Sequence, residues 1–182
     1  METSSDVTII LDAREISGVG SILSNPLVYS ARAVASLSSF FLRRRNNLRL
    51  VIYSDDIKMI PPGYGERQLY KILNILAGTV SKGDMPLQGV VNTILRHLTP
   101  KSPIILVSSL ENDDSIKNAV KEITGRGFYL IMLSPSPLNP GTLLKVEREN
   151  LVSTLRGYNA CVLDWQPDIP LSQTMEMISL RR

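Results

Sequence analysis

The sequence has few of the residues from which catalytic and metal centres are most often built. It contains one cysteine, Cys161, and one histidine, His97, among 182 residues. A single cysteine excludes an internal disulfide and is typical of a reducing compartment. Because His97 has no second histidine or nearby cysteine to act with, neither a zinc site nor a Cys/His catalytic pair is expected.

The chain also lacks an apolar run that approaches the ~20 residues of a membrane-spanning helix. An apolar strand begins almost directly after Met1, which leaves no room for a signal peptide. We therefore expect a cytoplasmic protein, or a domain at the cytoplasmic face of a membrane if the chain was cut from a longer, anchored one. The net charge is only +3. Without a basic patch interleaved with aromatic residues, nucleic-acid binding is not expected.

What the sequence does have is a regular alternation of apolar segments. Its length and its hydrophobic content of 43% favour a single domain over residues 1–182 with a proper core. Apolar strands are predicted at 6–12, 48–53, 57–60, 103–107, 128–133 and 160–163. Helices are predicted at 26–45, from about 66, after Gly83, between the caps at 112–114 and Gly125, at about 142–156 and, as a short final helix, from 171. The second helix has an apolar stripe of Leu69, Ile72, Leu73, Leu76 and Val80, the third one of Leu87, Val90, Val91, Ile94, Leu95 and Leu98, and the fourth one of Ile116, Ala119, Val120 and Ile123. This alternation predicts an α/β fold, a Rossmann-like three-layer sandwich whose sheet is mainly parallel with one antiparallel edge strand.

Functional sites in such sheets lie at the carboxyl ends of the strands. The first strand belongs to the stretch DVTIILDAREI, Asp6–Ile16, and it ends on an acidic residue, Asp12. Further strand ends are expected around Tyr53 and at Ser108, and the loop before Met85 would join them. Asp12 is therefore the first candidate for a functional carboxylate.

Five strings span nearly the whole chain in a characteristic order: DVTIILDA, FFLRRRNNLRLVIYSD, PPGYGERQLYKIL, PIILVSSL and VLDWQPDIPLS. In this order they resemble the von Willebrand factor A-like domain of the domain-of-unknown-function family 58. The resemblance implies a von Willebrand factor A-like sheet and a non-enzymatic adaptor domain that binds a protein. It also implies a partner of the MoxR-type AAA+ ATPase class.

Domains of this type usually carry a metal-ion-dependent adhesion site. Its pattern is Asp-x-Ser-x-Ser after the first strand, a Thr in a later loop and an Asp after the fourth strand, which are hard oxygen ligands suited to Mg²⁺. Asp12 is retained here, but the other four positions hold Arg14, Ile16, Met85 and Ser109. Arg and Ile cannot bind Mg²⁺ and Met binds it poorly. The sequence therefore predicts a degenerate metal site and no metal cofactor.

Arg14 is predicted to replace the charge of the missing metal by pairing with Asp12. We then expect a metal-independent binding surface at this end of the sheet, built by three loops. Its predicted members are Asp12, Arg14, Glu15, Asp84, Met85, Ser109, Glu111 and Asp113.

Three alternatives stay open. A displaced cation site is one, built from Glu15, Asp84, Glu111, Asp113 and Asp114. A nucleotide- or phosphate-binding enzyme domain is the second, although Gly63-Tyr64-Gly65 lacks the longer glycine fingerprint and the Lys-Ser/Thr of a phosphate loop. The third is a structural module of a longer, membrane-attached chain.

Other polar features have simpler structural interpretations. No Gly-x-Ser-x-Gly elbow surrounds Ser108 and Ser109, so neither is interpreted as a nucleophile. Asp55 and Asp56 suit a tight turn. Trp165 is predicted to anchor the C-terminal segment against the body of the domain.

Overall fold

The alternating segments form a six-stranded sheet that is covered by helices on both faces. The computed structural model describes residues 6–19, 25–110, 114–135 and 142–174. The strands are β1 (Asp6–Asp12), β2 (Asn47–Tyr53), β3 (Ile57–Gly63), β4 (Ile104–Val107), β5 (Leu130–Pro135) and β6 (Cys161–Trp165). The helices are α1 (Pro26–Arg43), α2 (Gly65–Ala77), α3 (Leu87–Ile94), α4 (Asp114–Gly125) and α5 (Thr142–Gly157), with short 3₁₀ helices at Glu15–Gly18 and Leu95–His97.

The strand order is β3-β2-β1-β4-β5-β6, and β1 lies inside the sheet between β2 and β4. All neighbouring strands are parallel except β2 and β3, which are antiparallel. The predicted fold class is thereby confirmed. Because β1, β2, β4, β5 and β6 run in one direction, their carboxyl ends meet at one edge of the sheet, which we call the carboxyl edge.

Each face of the sheet has its own core. Ile10 of β1 packs with α3, α4 and α5 on one face, while Ile9 and Leu11 pack with α1 and α2 on the other. Burial on both sides is the reason that β1 is apolar along its length. The predicted stripes of α3 and α4 are confirmed as buried, at Leu87, Val90, Val91, Ile94, Ile116, Ala119, Val120 and Ile123. Leu95 and Leu98 are buried as well, although α3 ends at Ile94, earlier than predicted.

The α1–α2 face departs from the predicted pattern. The apolar stripe predicted for α2 extends to Val80, but the helix ends at Ala77 and is followed by Gly78. Ile72 and Leu76 are buried as expected, whereas Leu73 is 38% exposed and Val80 is 64% exposed. The prediction that Leu73 and Val80 are buried was therefore wrong. Of the residues of this stripe, only Ile72 and Leu76 belong to the buried core on this face of the sheet.

The third strand is also longer than predicted. It runs on to Gly63 through Pro61 and Pro62 instead of ending at Ile60. A proline cannot donate a ladder hydrogen bond, but β3 is the edge strand, where one side of the backbone needs no partner.

The longest described helix is α1, with 18 residues. Pro26 stands at its first turn, and the side chain of Asn25 accepts a hydrogen bond from the backbone N of Val28 at 2.9 Å, so the helix has a proper N-terminal cap. It ends at Arg43, two residues earlier than predicted. Among the helices that the structure describes, none is long and apolar enough to cross a membrane.

Trp165 anchors the chain that follows the sheet, as predicted. It is the last residue of β6 and is 6% exposed. Its indole Nε1 donates a hydrogen bond of 2.8 Å to the carbonyl of Ile169. Leu171 packs against the same core cluster, so this segment is fixed to the α1–α2 face.

Candidate functional site

Asp12 lies at the carboxyl edge with its side chain fully buried. A buried carboxylate is costly unless charge and hydrogen bonds compensate it. Arg14 supplies both: its Nε donates to Oδ1 at 3.0 Å and its Nη2 donates to Oδ2 at 2.9 Å. The Arg14 side chain is itself only 4% exposed. The predicted Asp12–Arg14 pair is therefore confirmed, in the two-pronged geometry that guanidinium and carboxylate prefer.

The backbone after β1 explains how Arg14 reaches back over the strand end. Ala13 donates its N–H to the carbonyl of Tyr53 at 2.9 Å, and its own carbonyl accepts from Lys82 N at 3.1 Å. Glu15 N then donates to the carbonyl of Gly83 at 2.9 Å. Arg14 has an extended conformation, and its backbone N donates to Asp12 Oδ1 at 3.1 Å. The segment is thus held on both sides, and the guanidinium lies 5.6 Å from the ring centroid of Tyr53.

Ser108 completes the surroundings of the Asp12 carboxylate. Its hydroxyl donates to Asp12 Oδ2 at 2.9 Å and accepts from Leu110 N at 3.3 Å. With the three donors of Arg14, the carboxylate accepts four hydrogen bonds. A carboxylate offers about four lone-pair sites, so its accepting capacity is fully used by the protein. Sequence reasoning treated Ser108 only as a rejected nucleophile and missed this role.

The residues at the other three positions of the expected metal pattern place no oxygen ligand against Asp12. Ile16 is a hydrocarbon side chain in the first 3₁₀ helix and is 41% exposed. Met85 packs against the α3–α5 core cluster, and its backbone N donates to the carbonyl of Ser54 at 3.1 Å. Ser109 is 6% exposed, and its hydroxyl has no hydrogen-bond partner among the described residues.

The acidic residues of the predicted binding surface are partly brought together. Asp84 has a side chain that is 92% exposed, and its Oδ1 lies 3.9 Å from Nη1 of Arg14. Glu15 is exposed in the neighbouring turn. Glu111 and Asp113 lie outside the described residues. Within the described part, the carboxyl edge therefore presents carboxylates above a buried arginine.

The loop that carries Asp84 is fixed by close packing at Gly83. Gly83 has a φ of +69°, and a Cβ atom there would lie 2.6 Å from backbone atoms of Asp55. Beside it, Lys82 Nζ pairs with Asp55 Oδ2 at 3.0 Å. The hydrogen bond from Lys82 holds the pKa of the Asp55 carboxyl below its usual value, and Asp55 in turn raises the pKa of Lys82.

A second arginine, which sequence reasoning missed, closes the other half of the carboxyl edge. Arg148 of α5 donates from Nη1 to the carbonyl of Ser109 at 2.9 Å and from Nη2 to Ser134 Oγ at 2.8 Å. Its Nη2 also pairs with Asp164 Oδ1 at 2.7 Å. These bonds tie α5 to the ends of β4, β5 and β6. No local signal marks Arg148, since it stands in the string VERENL and resembles a solvated helix charge.

The described residues offer little to a cation. Among them, no three His, Cys, Asp or Glu side chains form a group that could hold a metal ion. Asp114, a member of the alternative cation site, pairs instead with Lys117 at 3.0 Å. The donor set around Asp12 is thus one fully hydrogen-bonded carboxylate, one guanidinium and one hydroxyl, which does not fit the oxygen cage of Mg²⁺.

Comparison with solved structures identifies the fold as von Willebrand factor A-like. The pilus adhesin SpaC of Lactobacillus rhamnosus GG is similar over 90% of this chain, with 10% identity and a TM-score of 0.67. The manganese-loaded TRAP protein of Plasmodium vivax is similar over 88% of the chain, with 17% identity and a TM-score of 0.55. Proximal thread matrix protein 1 from the mussel byssus is similar over 97%, with 12% identity and a TM-score of 0.61.

These similarities concern the fold alone, because the identities are low. The chain spans 29% of the length of the pilus adhesin, 68% of TRAP and 46% of the byssus protein. No family model matches the sequence, and no curated protein matches it. The von Willebrand factor A-like part of the sequence prediction is therefore confirmed, while the narrower resemblance to the domain-of-unknown-function family 58 stays a prediction.

Proposed function

We propose that this chain is a protein-interaction domain without enzymatic activity, which binds its partner at the carboxyl edge of the sheet and needs no metal ion to do so. The buried Asp12–Arg14 pair is the observation that carries the proposal. A guanidinium permanently supplies positive charge where the adhesion pattern would use a cation, and both oxygens of Asp12 are already engaged.

The partner that the sequence resemblance suggests is a MoxR-type AAA+ ATPase, with the chain acting as an adaptor in a cytoplasmic setting. The exposed carboxylates of Glu15 and Asp84 give the carboxyl edge groups that a basic surface can recognise. The close packing of Gly83 against Asp55 holds the backbone next to Asp84 in place. Such pre-ordering lowers the entropy cost of binding.

An enzyme domain that binds a nucleotide has less support. Its best candidate loop, Gly63-Tyr64-Gly65, stands at the end of β3, which runs antiparallel to β2. The loop therefore lies at the end of the sheet opposite to the carboxyl edge and Asp12. In the described part of the loop after β1, Arg14 and Glu15 stand where a phosphate would approach a glycine-rich turn.

The proposal can be tested by titrating the chain with a MoxR-type ATPase from the same organism, free of nucleotide so that removing Mg²⁺ affects only this chain. We expect the same affinity in Mg²⁺ and in EDTA. Asp84→Lys should weaken binding by about tenfold or more, since it reverses an exposed charge at the proposed surface. The matched control Glu66→Lys, at the opposite edge of the sheet, should leave the affinity unchanged.

Three results would contradict the proposal. If EDTA abolishes binding, the interaction depends on a metal and Arg14 is not its substitute. If Glu66→Lys weakens binding and Asp84→Lys does not, the surface lies elsewhere. Absence of any binding by the unaltered chain would exclude this class of partner.

A further inference from the structure

An open, apolar groove of about 690 Å³ lies between α1 and α2. The start of α1 and the end of α2 form its two walls, since these helices run in opposite directions along the sheet. Ala31 and Ala35 of α1 face Leu73 and Ala77 of α2 across it. The alanines keep both walls low, so no residue in the described part of the chain covers the groove.

The apolar wall of the groove is exposed, and Tyr70 stands one turn before Leu73 on α2. Leu73, Val80 and Tyr70 are 38%, 64% and 66% exposed. Leu73 and Val80 are the residues whose apolar spacing predicted burial against the sheet, yet the sheet does not cover them. Exposed apolar side chains that adjoin one another commonly mark a contact with another molecule.

The wall of the groove carries one charge. Arg32 is the single charged side chain in its wall, and no carboxylate lies within ion-pair distance of it in the described part of the chain. An occupant with carboxylates is therefore favoured over one with basic groups.

We propose that this groove docks an amphipathic, acidic helix of a partner protein. The apolar face of that helix lies on Ala31 and Leu73, and a carboxylate on its edge pairs with Arg32. A helix fits because it is long enough to cover Tyr70 as well as the groove wall from Leu73 to Val80, which a small ligand cannot do. A flat bilayer would leave a concave groove unfilled. The groove adjoins the surface proposed at the carboxyl edge, because Gly18 and Ser81 in its wall stand three residues from Glu15 and Asp84. Its test therefore uses variants on α1 and α2 that lie outside that surface.

The test is a selection of binders from a library of displayed helical peptides, with the unaltered chain as target. We expect enrichment of peptides with Leu, Ile or Met on one face and Asp or Glu beside it. Leu73→Ser should weaken the best synthetic peptide by about tenfold or more. Ile75→Ser should change its affinity by less than about twofold, because Ile75 is on the same helix, 36% exposed, but outside the groove.

The charge is tested by a second matched pair. Arg32→Glu should weaken the same peptide by about tenfold, whereas Arg67→Glu, exposed on α2 outside the groove, should weaken it by less than about threefold. All four positions are on the surface, so the variants should keep the thermal stability of the parent chain, and the melts verify this.

Several outcomes would overturn the proposal. Selected peptides without acidic residues, or peptides insensitive to Leu73→Ser, would show that the groove is not an acidic-helix site. A dimer in sedimentation equilibrium that Leu73→Ser dissociates would assign the groove to a second copy of this chain. Binding to phosphatidylserine vesicles that Arg32→Glu and Arg67→Glu weaken equally would assign this face to a membrane surface.

Discussion

Two ion pairs at the carboxyl edge have nearly the same length and very different surroundings. Arg14 and Asp12 approach to 2.9 Å with side chains that are 4% and 0% exposed. Lys82 and Asp55 approach to 3.0 Å with side chains that are 48% and 49% exposed. Water can replace either partner of the exposed pair, but it cannot reach the buried one. Burial, rather than distance, therefore decides what each pair contributes.

The two pairs also act on different parts of the edge. The buried pair neutralises the end of the central strand β1 and places a permanent cation under the proposed surface. The exposed pair joins the end of β2 to the loop that carries Asp84. The backbone connects them, since Lys82 N donates to the carbonyl of Ala13 at 3.1 Å. Breaking each pair separately therefore distinguishes what the buried end of β1 and what the loop that carries Asp84 contribute to the stability of the domain.

The largest effect is expected from Arg14→Met. This change removes two hydrogen bonds and the positive charge from Asp12, which stays buried with the backbone N of residue 14 and Ser108 as its donors. Removing one partner of a buried pair costs about 3–5 kcal/mol. The free energy of unfolding, measured with urea at neutral pH, should fall by that amount.

The control for this prediction removes both charges together. The double variant Asp12→Ala/Arg14→Met leaves no uncompensated carboxylate, so it should be more stable than Arg14→Met alone. A single variant that loses less than about 1 kcal/mol would mean that water reaches Asp12 and that the pair behaves like the exposed one.

A smaller effect is expected from rebuilding the adhesion pattern with Arg14→Ser, Ile16→Ser, Met85→Thr and Ser109→Asp in one chain. The rebuilt set offers Mg²⁺ the hydroxyl and carboxylate oxygens that it prefers. At a free Mg²⁺ concentration 100-fold above the Kd, binding should add about 2.7 kcal/mol to the stability of the variant. Thermal melts of variant and parent in Mg²⁺, Mn²⁺ and EDTA measure this.

The parent chain is the matched control, and its three melts should coincide. An upward shift of the parent in either metal would contradict a metal-independent edge and favour a displaced cation site. A variant that folds but gains nothing from metal would show that these four positions do not converge on Asp12.

The comparison of the two pairs also shows which parts of the edge a sequence can predict. Asp12 and Arg14 are two residues apart after a buried strand, so their meeting follows from local geometry and charge. Ser108 and Arg148 come from distant parts of the chain and reach the edge only through strand order and helix packing. The same limit applies to α2: its apolar spacing predicts a stripe, but only the packed sheet decides that Leu73 stays exposed.

The smallest effect is expected from Lys82→Gln. The pKa of Asp55 is lowered and that of Lys82 is raised by their pairing. Asp55 stabilises the folded chain above its unfolded-state pKa, and this stabilisation is lost as the pH falls through its lowered folded-state pKa. Lys82 stabilises the folded chain below its unfolded-state pKa, and this stabilisation is lost as the pH rises through its raised folded-state pKa. At neutral pH the melting temperature should therefore fall slightly, far less than in Arg14→Met, and added salt should remove the difference.

Lys145→Gln is the control, because Lys145 is an exposed lysine with no ion pair among the described residues. A salt-insensitive loss as large as that of Arg14→Met would show that the loop, rather than the strand end, carries the stability of the edge.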